Sequence, residues 1–436
     1  MSYRRLNLDT YFSGPDCARA APLAPRAPAL QVLGRGPAPG APYPLARAAT
    51  ACLVVLGLLF ARRPEAFLHP QFFAEDGPIF FMGAYQHPWA SIVTPYAGYL
   101  HVGLRLVATA CSVLDPLWVP TAYLAASTAA VAALVTALFS RRLRLPCPWA
   151  FALCLPLVPH TGEVFDTLTN LQWLGALGIV LLLLAPDPDT RGLCALDFGF
   201  AAVASVTGVF SIVFAPLFLV RAWRRRSRAS AGLLAVVLIG GAVQAYLILH
   251  TPWPQAGPPA SPAAMLSTFG HRAFLALFVP ARAFDGLPRA LGLPAAASAL
   301  GLLGLLAMPG RGSRLRRLLA SLAIPLLSAA AIYKVRGSLE ILGPLHNGDR
   351  YFFVPKVCLL WMLCFHLRRA SPLRGTCALL LAVALAATLA GFRFEHWENL
   401  DWPRWAQRMR AEPVVAVPIN PAGFSFVYAR PDGAGR

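Results

Sequence analysis

Glu75 and Asp76 stand side by side in the run Phe72-Phe73-Ala74-Glu75-Asp76-Gly77-Pro78-Ile79-Phe80, flanked by aromatic residues suited to a membrane surface. One of two adjacent carboxylates can act as a general base while its neighbour raises its pKa. Neighbouring side chains point in different directions, so one of the two faces a reacting hydroxyl. Asp76, fixed by Gly77-Pro78, is the expected base, and Glu75 the residue that tunes or orients it. The same order of residues also suits an N-cap with Pro in the first helical turn, a role compatible with the first. Downstream, Gly98-Tyr99-Leu100-His101 introduces His101, and Arg105 follows four residues later on the same helical face.

Two further segments carry polar chemistry. His160 to Trp173 contains Glu163, Asn170, Gln172 and Trp173, hydrogen-bonding and stacking groups of the kind that line a sugar site. Asn170 also suits a helix cap, and Trp173 an interfacial anchor. Lys334 to Lys356 contains His346-Asn347-Gly348-Asp349-Arg350-Tyr351 ahead of an apolar run. Arg350 offers a guanidinium fork that matches phosphate oxygens, with Arg105 as the second choice. Asp349 and Arg350 also suit a plain interfacial ion pair.

The elements that must hold these residues are set by composition. Of the 436 residues 57% are hydrophobic and 13% charged, which excludes a water-soluble globule and predicts an all-α, polytopic helical bundle. The net charge of +19 comes from arginines at the ends of apolar runs, which is topological information and does not indicate a nucleic-acid partner. Residues 1–44 are proline-rich and basic and are expected to be a disordered cytoplasmic tail. The first apolar run starts too far from Met1 for an ordinary signal peptide, so it is read as an uncleaved first span.

Apolar length predicts eleven spans, near 45–61, 117–139, 147–159, 170–185, 193–206, 207–222, 231–250, 290–308, 318–333, 353–367 and 374–391. Residues 98–114 are read as an amphipathic helix on the outer interface, because counting them as a crossing would put Arg141, Arg142 and Arg144 outside. This arrangement leaves a bundle over 45–391 with a long first outer loop, 62–116, and a short outer tail, 392–436. The N-terminus is then cytoplasmic and the C-terminus outside, in a cell (inner) membrane. The three polar segments all fall on the outer face.

The nine cysteines show no C-x-x-C or Cys/His ligand spacing and read as small buried hydrophobes. His69, Glu75, Asp76, His87 and His101 share one loop, where carboxylate oxygens could hold a divalent ion. None of their spacings is diagnostic, and no metal or other cofactor is assigned.

With Ala-Glu-Asp-Gly, Gly-Tyr-Leu-His and Asp-Arg-Tyr in these positions, the chain resembles GT-C type glycosyltransferases, polytopic membrane enzymes that use polyprenyl-phosphate-linked sugars. In that superfamily an acidic catalytic motif follows the first span within a long outer loop carrying interfacial helices. Glu75-Asp76 stands in that position, and 98–114 looks like one of those helices. The resemblance implies sugar transfer from a polyprenyl-phosphate donor to an acceptor, with inversion, in the lipid bilayer. Asp76 and Glu75 are then the catalytic pair, and His101, Arg105, Glu163, Asn170, Gln172, Trp173, Asp349, Arg350 and Tyr351 the substrate-binding residues. A large soluble C-terminal domain, present in the oligosaccharyltransferase branch, is absent. A surface-polysaccharide polymerase or ligase would also use outer loops. A lipid-sugar flippase or transporter is disfavoured, because ion-coupled transporters keep ionisable residues at the midplane and the predicted spans hold almost none.

Overall fold

The computed structural model describes residues 44–251, 257–284, 286–308, 314–343, 348–368 and 371–430. The expected basic tail lies outside them except for Pro44, as do His346 and Asn347. The longer helices are α1 (Pro44–Arg62), α2 (Val102–Cys111), α3 (Val119–Leu138), α4 (Leu171–Leu184), α5 (Arg191–Ser205) and α6 (Phe210–Arg225). They continue with α7 (Arg228–His250), α8 (Gly292–Ala307), α9 (Arg314–Lys334), α10 (Arg350–Phe365), α11 (Arg374–Ala390) and α12 (Trp402–Ala411). Strands β1 (Val414–Ile419) and β2 (Phe424–Ala429) close the described chain as an antiparallel hairpin.

Among the described residues, five helical stretches are long and apolar enough to cross a membrane: Leu45–Arg62, Pro116–Leu138, Arg228–His250, Arg289–Ala307 and Leu315–Lys334. Leu53, Ile239, Leu249 and Leu300 on these helices are exposed, as side chains facing lipid must be. The expected count of eleven is therefore not reached by helix length. α4, α5, α6, α10 and α11 have 14 to 17 residues, or roughly 21–26 Å against a hydrocarbon core near 30 Å. α10 shows why an apolar run need not face lipid, since every residue from Phe352 to Phe365 is buried inside the protein. The expected span at 147–159 is α-helical over Pro148–Leu153 only, because Pro156 and Pro159 interrupt any continuation.

Residues 98–114, read as an interfacial helix that does not cross, differ from expectation in the way their polar side chains face. α2 has ten residues, too short to cross a bilayer. Its polar side chains do not face the headgroups: His101 and Arg105 are buried against protein, while Leu106 and Val113 are exposed.

The bundle has two chemically distinct ends. At one, Arg142 is bonded to Pro186 O and Asp197, Arg221 to Leu182 O, Arg225 to Ala185 O and Arg316 to Leu143 O. At the other end the three polar segments meet. The separation is set by α9, which carries Arg316 near its start and Lys334 at its end, about 27 Å apart at 1.5 Å per residue.

The all-α expectation fails at the C-terminus, where the tail is folded. In β1 the buried residues alternate, with Val415, Val417 and Ile419 facing in, and in β2 Phe426 and Tyr428 do the same. Together with Trp402, Ala406 and Met409 of α12 they cover Phe72, Phe80 and Phe81 of the first loop. Backbone bonds from Asn420 N to Phe72 O (3.2 Å) and from Ala74 N to Asn420 O (2.6 Å) clamp the hairpin beside Glu75. The acidic pair thus sits on a shelf built from both ends of the described chain.

Candidate functional site

Asp76 and Glu75 part at the shelf. Asp76 is buried and its carboxylate accepts backbone N–H bonds from Thr169 (2.7 Å) and Leu168 (3.3 Å), tying the first loop to the second. Burial pushes its pKa up to about 8, against the pull of those amides. It occupies the N-cap position of the turn starting at Gly77 but makes no capping bond there. The expected assignment of Asp76 as the base therefore does not fit its surroundings, since both oxygens are engaged and shielded from an acceptor.

Glu75 is half-buried and meets Thr169 at its hydroxyl, whereas Asp76 meets the Thr169 amide. Its oxygens accept hydroxyl hydrogen bonds from Tyr96 and Thr169, each at 3.3 Å. These long contacts leave lone pairs for a further donor. Burial, reinforced by the charge of Glu75, raises the pKa of Tyr96, so the phenol stays a donor.

Arg350 lies across from Glu75, within electrostatic reach of both Glu75 and Glu163. Its guanidinium contacts Glu163 at 3.3 Å, and its backbone N–H donates to the other oxygen of Glu163 at 3.1 Å. Glu163 therefore serves the first turn of α10 and steadies the arginine, and burial raises its pKa to about 7 despite that cation. About a quarter of the Arg350 side chain remains exposed, enough to meet a ligand.

Asp349 sits deeper. It is bonded to Lys356 Nζ at 2.6 Å, Arg272 at 3.1 Å and the Thr161 amide at 3.0 Å. Burial alone would raise its pKa, but the Lys356 and Arg272 charges hold it below the ordinary carboxylate range. His160 beside it is buried and its pKa lowered to about 3, so the 3.8 Å approach to Asp349 is not an ion pair. Asp349 is thus a buried brace for the loops and does not meet a ligand directly. A second brace pairs Asp166 with Arg63 at 3.6 Å, and Arg63 lies over the Trp397 ring. Burial raises Asp166 to about 7.

The other expected binding residues divide. Tyr351 is 5.4 Å from the Trp173 ring and within cation-π range of Arg350. The Trp173 indole N–H is buried without a hydrogen-bond partner among the described residues, beside the site. Asn170 instead donates to Glu163 O at 2.6 Å, a loop-holding role. His101 is buried against Tyr99 and Tyr96, its pKa lowered to about 3 by burial and Arg105, so it is neutral. Arg105 is buried, donates to Ile79 O at 3.1 Å and lies over Phe80, which removes it as a ligand cation. Gln172 lines a neighbouring apolar groove.

Sequence reasoning missed Tyr96, Thr169, Arg272, Lys334 and Lys356. Lys334 lies over Tyr99 at 5.1 Å and Tyr351 at 6.0 Å, on the Arg350 side of the cluster. One signal was available: Lys334 and Lys356 are the only two lysines among 38 basic residues, and both come to this end.

The groove has a volume of about 780 Å³ and lies between α3, α4 and α5. Small residues such as Ala130, Ala133, Ala137 and Gly175 make the space. Gly103, Gln172 and Thr207 line it at the end nearer the site, and Arg142 and Asp197 at the other. Among the described residues no group of three or more His, Cys, Asp or Glu side chains is placed to hold a metal ion.

No family model matches the chain, and no curated protein or solved structure matches it.

Proposed function

We propose that this chain is a multi-pass membrane glycosyltransferase, of GT-C type layout, that moves a sugar from a polyprenyl-phosphate donor to an acceptor hydroxyl. The reaction takes place at the end carrying Glu75 and Arg350. The single observation that carries this proposal is that a half-buried carboxylate, Glu75, and a guanidinium exposed over about a quarter of its side chain, Arg350, face one polar centre beside an apolar groove. In the proposed step the acceptor oxygen bonds to the anomeric carbon and gives its proton to Glu75. The bond from that carbon to the phosphate oxygen breaks, and its electron pair leaves on the phosphate, which Arg350 and Lys334 receive. Attack opposite the leaving group inverts the anomeric centre. Trp173, Tyr96, Tyr99 and Tyr351 are the stacking and hydrogen-bonding walls for the sugar, and the groove takes the near part of the prenyl chain. The basic end is placed in the cytoplasm because short cytoplasmic loops carry the excess of arginine, which puts the site on the outer face.

The test uses the full chain in liposomes with a panel of polyprenyl-phosphate sugars, measuring donor binding and release of free polyprenyl phosphate. One donor should bind and turn over. Arg350→Lys should weaken its binding, because a point charge does not restore the fork of two parallel N–H donors. Equal donor affinity in wild type, Arg350→Lys and Arg350→Ala would overturn the assignment.

A further inference from the structure

The end of the bundle opposite Glu75 carries a second charged centre that the proposed chemistry does not use. Arg316 donates to Leu143 O at 2.6 Å and is half-buried there, with Arg144, Arg225 and Arg368 within electrostatic range. The nearby carboxylates that make ion pairs are already engaged. Asp197 is held through both oxygens by Arg142. Asp187 accepts from Arg221, Arg225, Ser227 and Ser230. Among the described residues no carboxylate lies within ion-pair distance of Arg144, Arg316 or Arg368. Arginines from three other segments thus lie within electrostatic range of Arg316, and Arg144, Arg316 and Arg368 leave an excess of positive charge here that an anion would offset.

Its position says which anion. Leu143, whose carbonyl holds Arg316, also lines the apolar groove, so the cluster borders a lipid-accessible wall. Trp223, 63% exposed and stacked by Arg224, lies on the same end, as an aromatic residue at a membrane interface does. We propose that Arg144, Arg316 and Arg368, with Arg225, bind the headgroup phosphate of an anionic phospholipid from the leaflet at this end. Guanidinium forks supply the contacts to the phosphate oxygens, and the acyl chains stay in the bilayer.

The test titrates the full chain in neutral detergent with short-chain phosphatidylglycerol, short-chain phosphatidylcholine and inorganic phosphate, reading binding by intrinsic tryptophan fluorescence. Phosphatidylglycerol should bind more tightly than the other two. Each arginine near an anionic surface is worth about a fivefold change in binding, so Arg144→Gln with Arg316→Gln should weaken phosphatidylglycerol roughly thirtyfold and leave phosphatidylcholine unchanged. Arg144→Gln alone, at an exposed side chain, should weaken it about fivefold and serves if the double variant does not fold. Arg393→Gln with Arg404→Gln removes the same charge at the opposite end and should change nothing. Equal binding of the two phospholipids, inorganic phosphate binding as well as phosphatidylglycerol, unchanged binding in Arg144→Gln, or an equal loss in the control pair would each overturn the proposal.

Discussion

Replacing Asp76 by Ala separates the two acidic residues more sharply than any assay of activity. The carboxylate is the acceptor for two buried amides, at 2.7 Å from Thr169 and 3.3 Å from Leu168. A buried donor left without its partner costs roughly 1–3 kcal/mol, so the pair costs about 2–6 kcal/mol. Glu75→Gln keeps the size of a half-exposed side chain whose two contacts are long, and changes stability by no more than about 0.5 kcal/mol. Asp76→Asn falls between, because its amide keeps one acceptor oxygen and turns a donor toward the other N–H. Thermal unfolding of purified protein, followed by thiol-reactive dye as the buried Cys154, Cys358 and Cys364 become exposed, gives the order directly. Asp76→Ala should melt lowest, Asp76→Asn next, and Glu75→Gln with wild type. Asp76→Ala melting at the wild-type temperature would refute the bridging role and return Asp76 to the pool of possible bases.

Stability should also fall as pH rises from 6.5 to 8.5. His101 and His160, whose folded values lie near 3, are half protonated in the unfolded chain at 6.5 and neutral there by about 7.5, a smaller effect of opposite sign confined to the start of the window. Asp76 near 8 and Glu163 and Asp166 near 7 keep protons in the folded state that the unfolded chain has already lost, so the folded chain binds more protons and loses stability through this window. A melting temperature that rises over that range contradicts this, and Asp76→Asn should flatten the slope. Gly162→Ala should destabilise strongly, because Gly162 has φ +90 and a Cβ there would collide with the Phe394 ring; a melting temperature unchanged from wild type would show the loop is not held as described. Phe426→Ala empties the space beside Phe72 and Phe81 and should cost about 3–5 kcal/mol, visible as increased protease cutting within 392–430; no change would mean the hairpin does not brace the first loop.

Much of this site was legible in the sequence. Apolar patterning kept Glu75, Glu163 and Arg350 outside the apolar runs, and the structure brings the three together at one end. What separates Glu75 from Asp76 was not legible, because it depends on the amides of Leu168 and Thr169, which lie 92 and 93 residues from Asp76. Arg105 and His101 were placed on the correct helical face, but facing water, whereas Phe80 and Tyr99 bury them. Span counting failed where apolar runs serve the protein core, as in α10, since hydropathy alone does not distinguish burial in protein from burial in lipid. The hairpin is readable in the alternation of Val415, Val417 and Ile419 and of Phe426 and Tyr428, a signal too short to stand out beside the long apolar runs.

The most direct test of the central claim is single-turnover sugar transfer, with a donor that binds the wild-type chain, in variants each assayed below its own melting temperature. A general base is typically worth about 10²–10⁴ in rate, so Glu75→Gln should keep donor affinity and lose at least a hundredfold in transfer. Asp76→Asn, measured below its lowered melting temperature, should retain most of the rate. Transfer at the wild-type rate in Glu75→Gln would contradict the account.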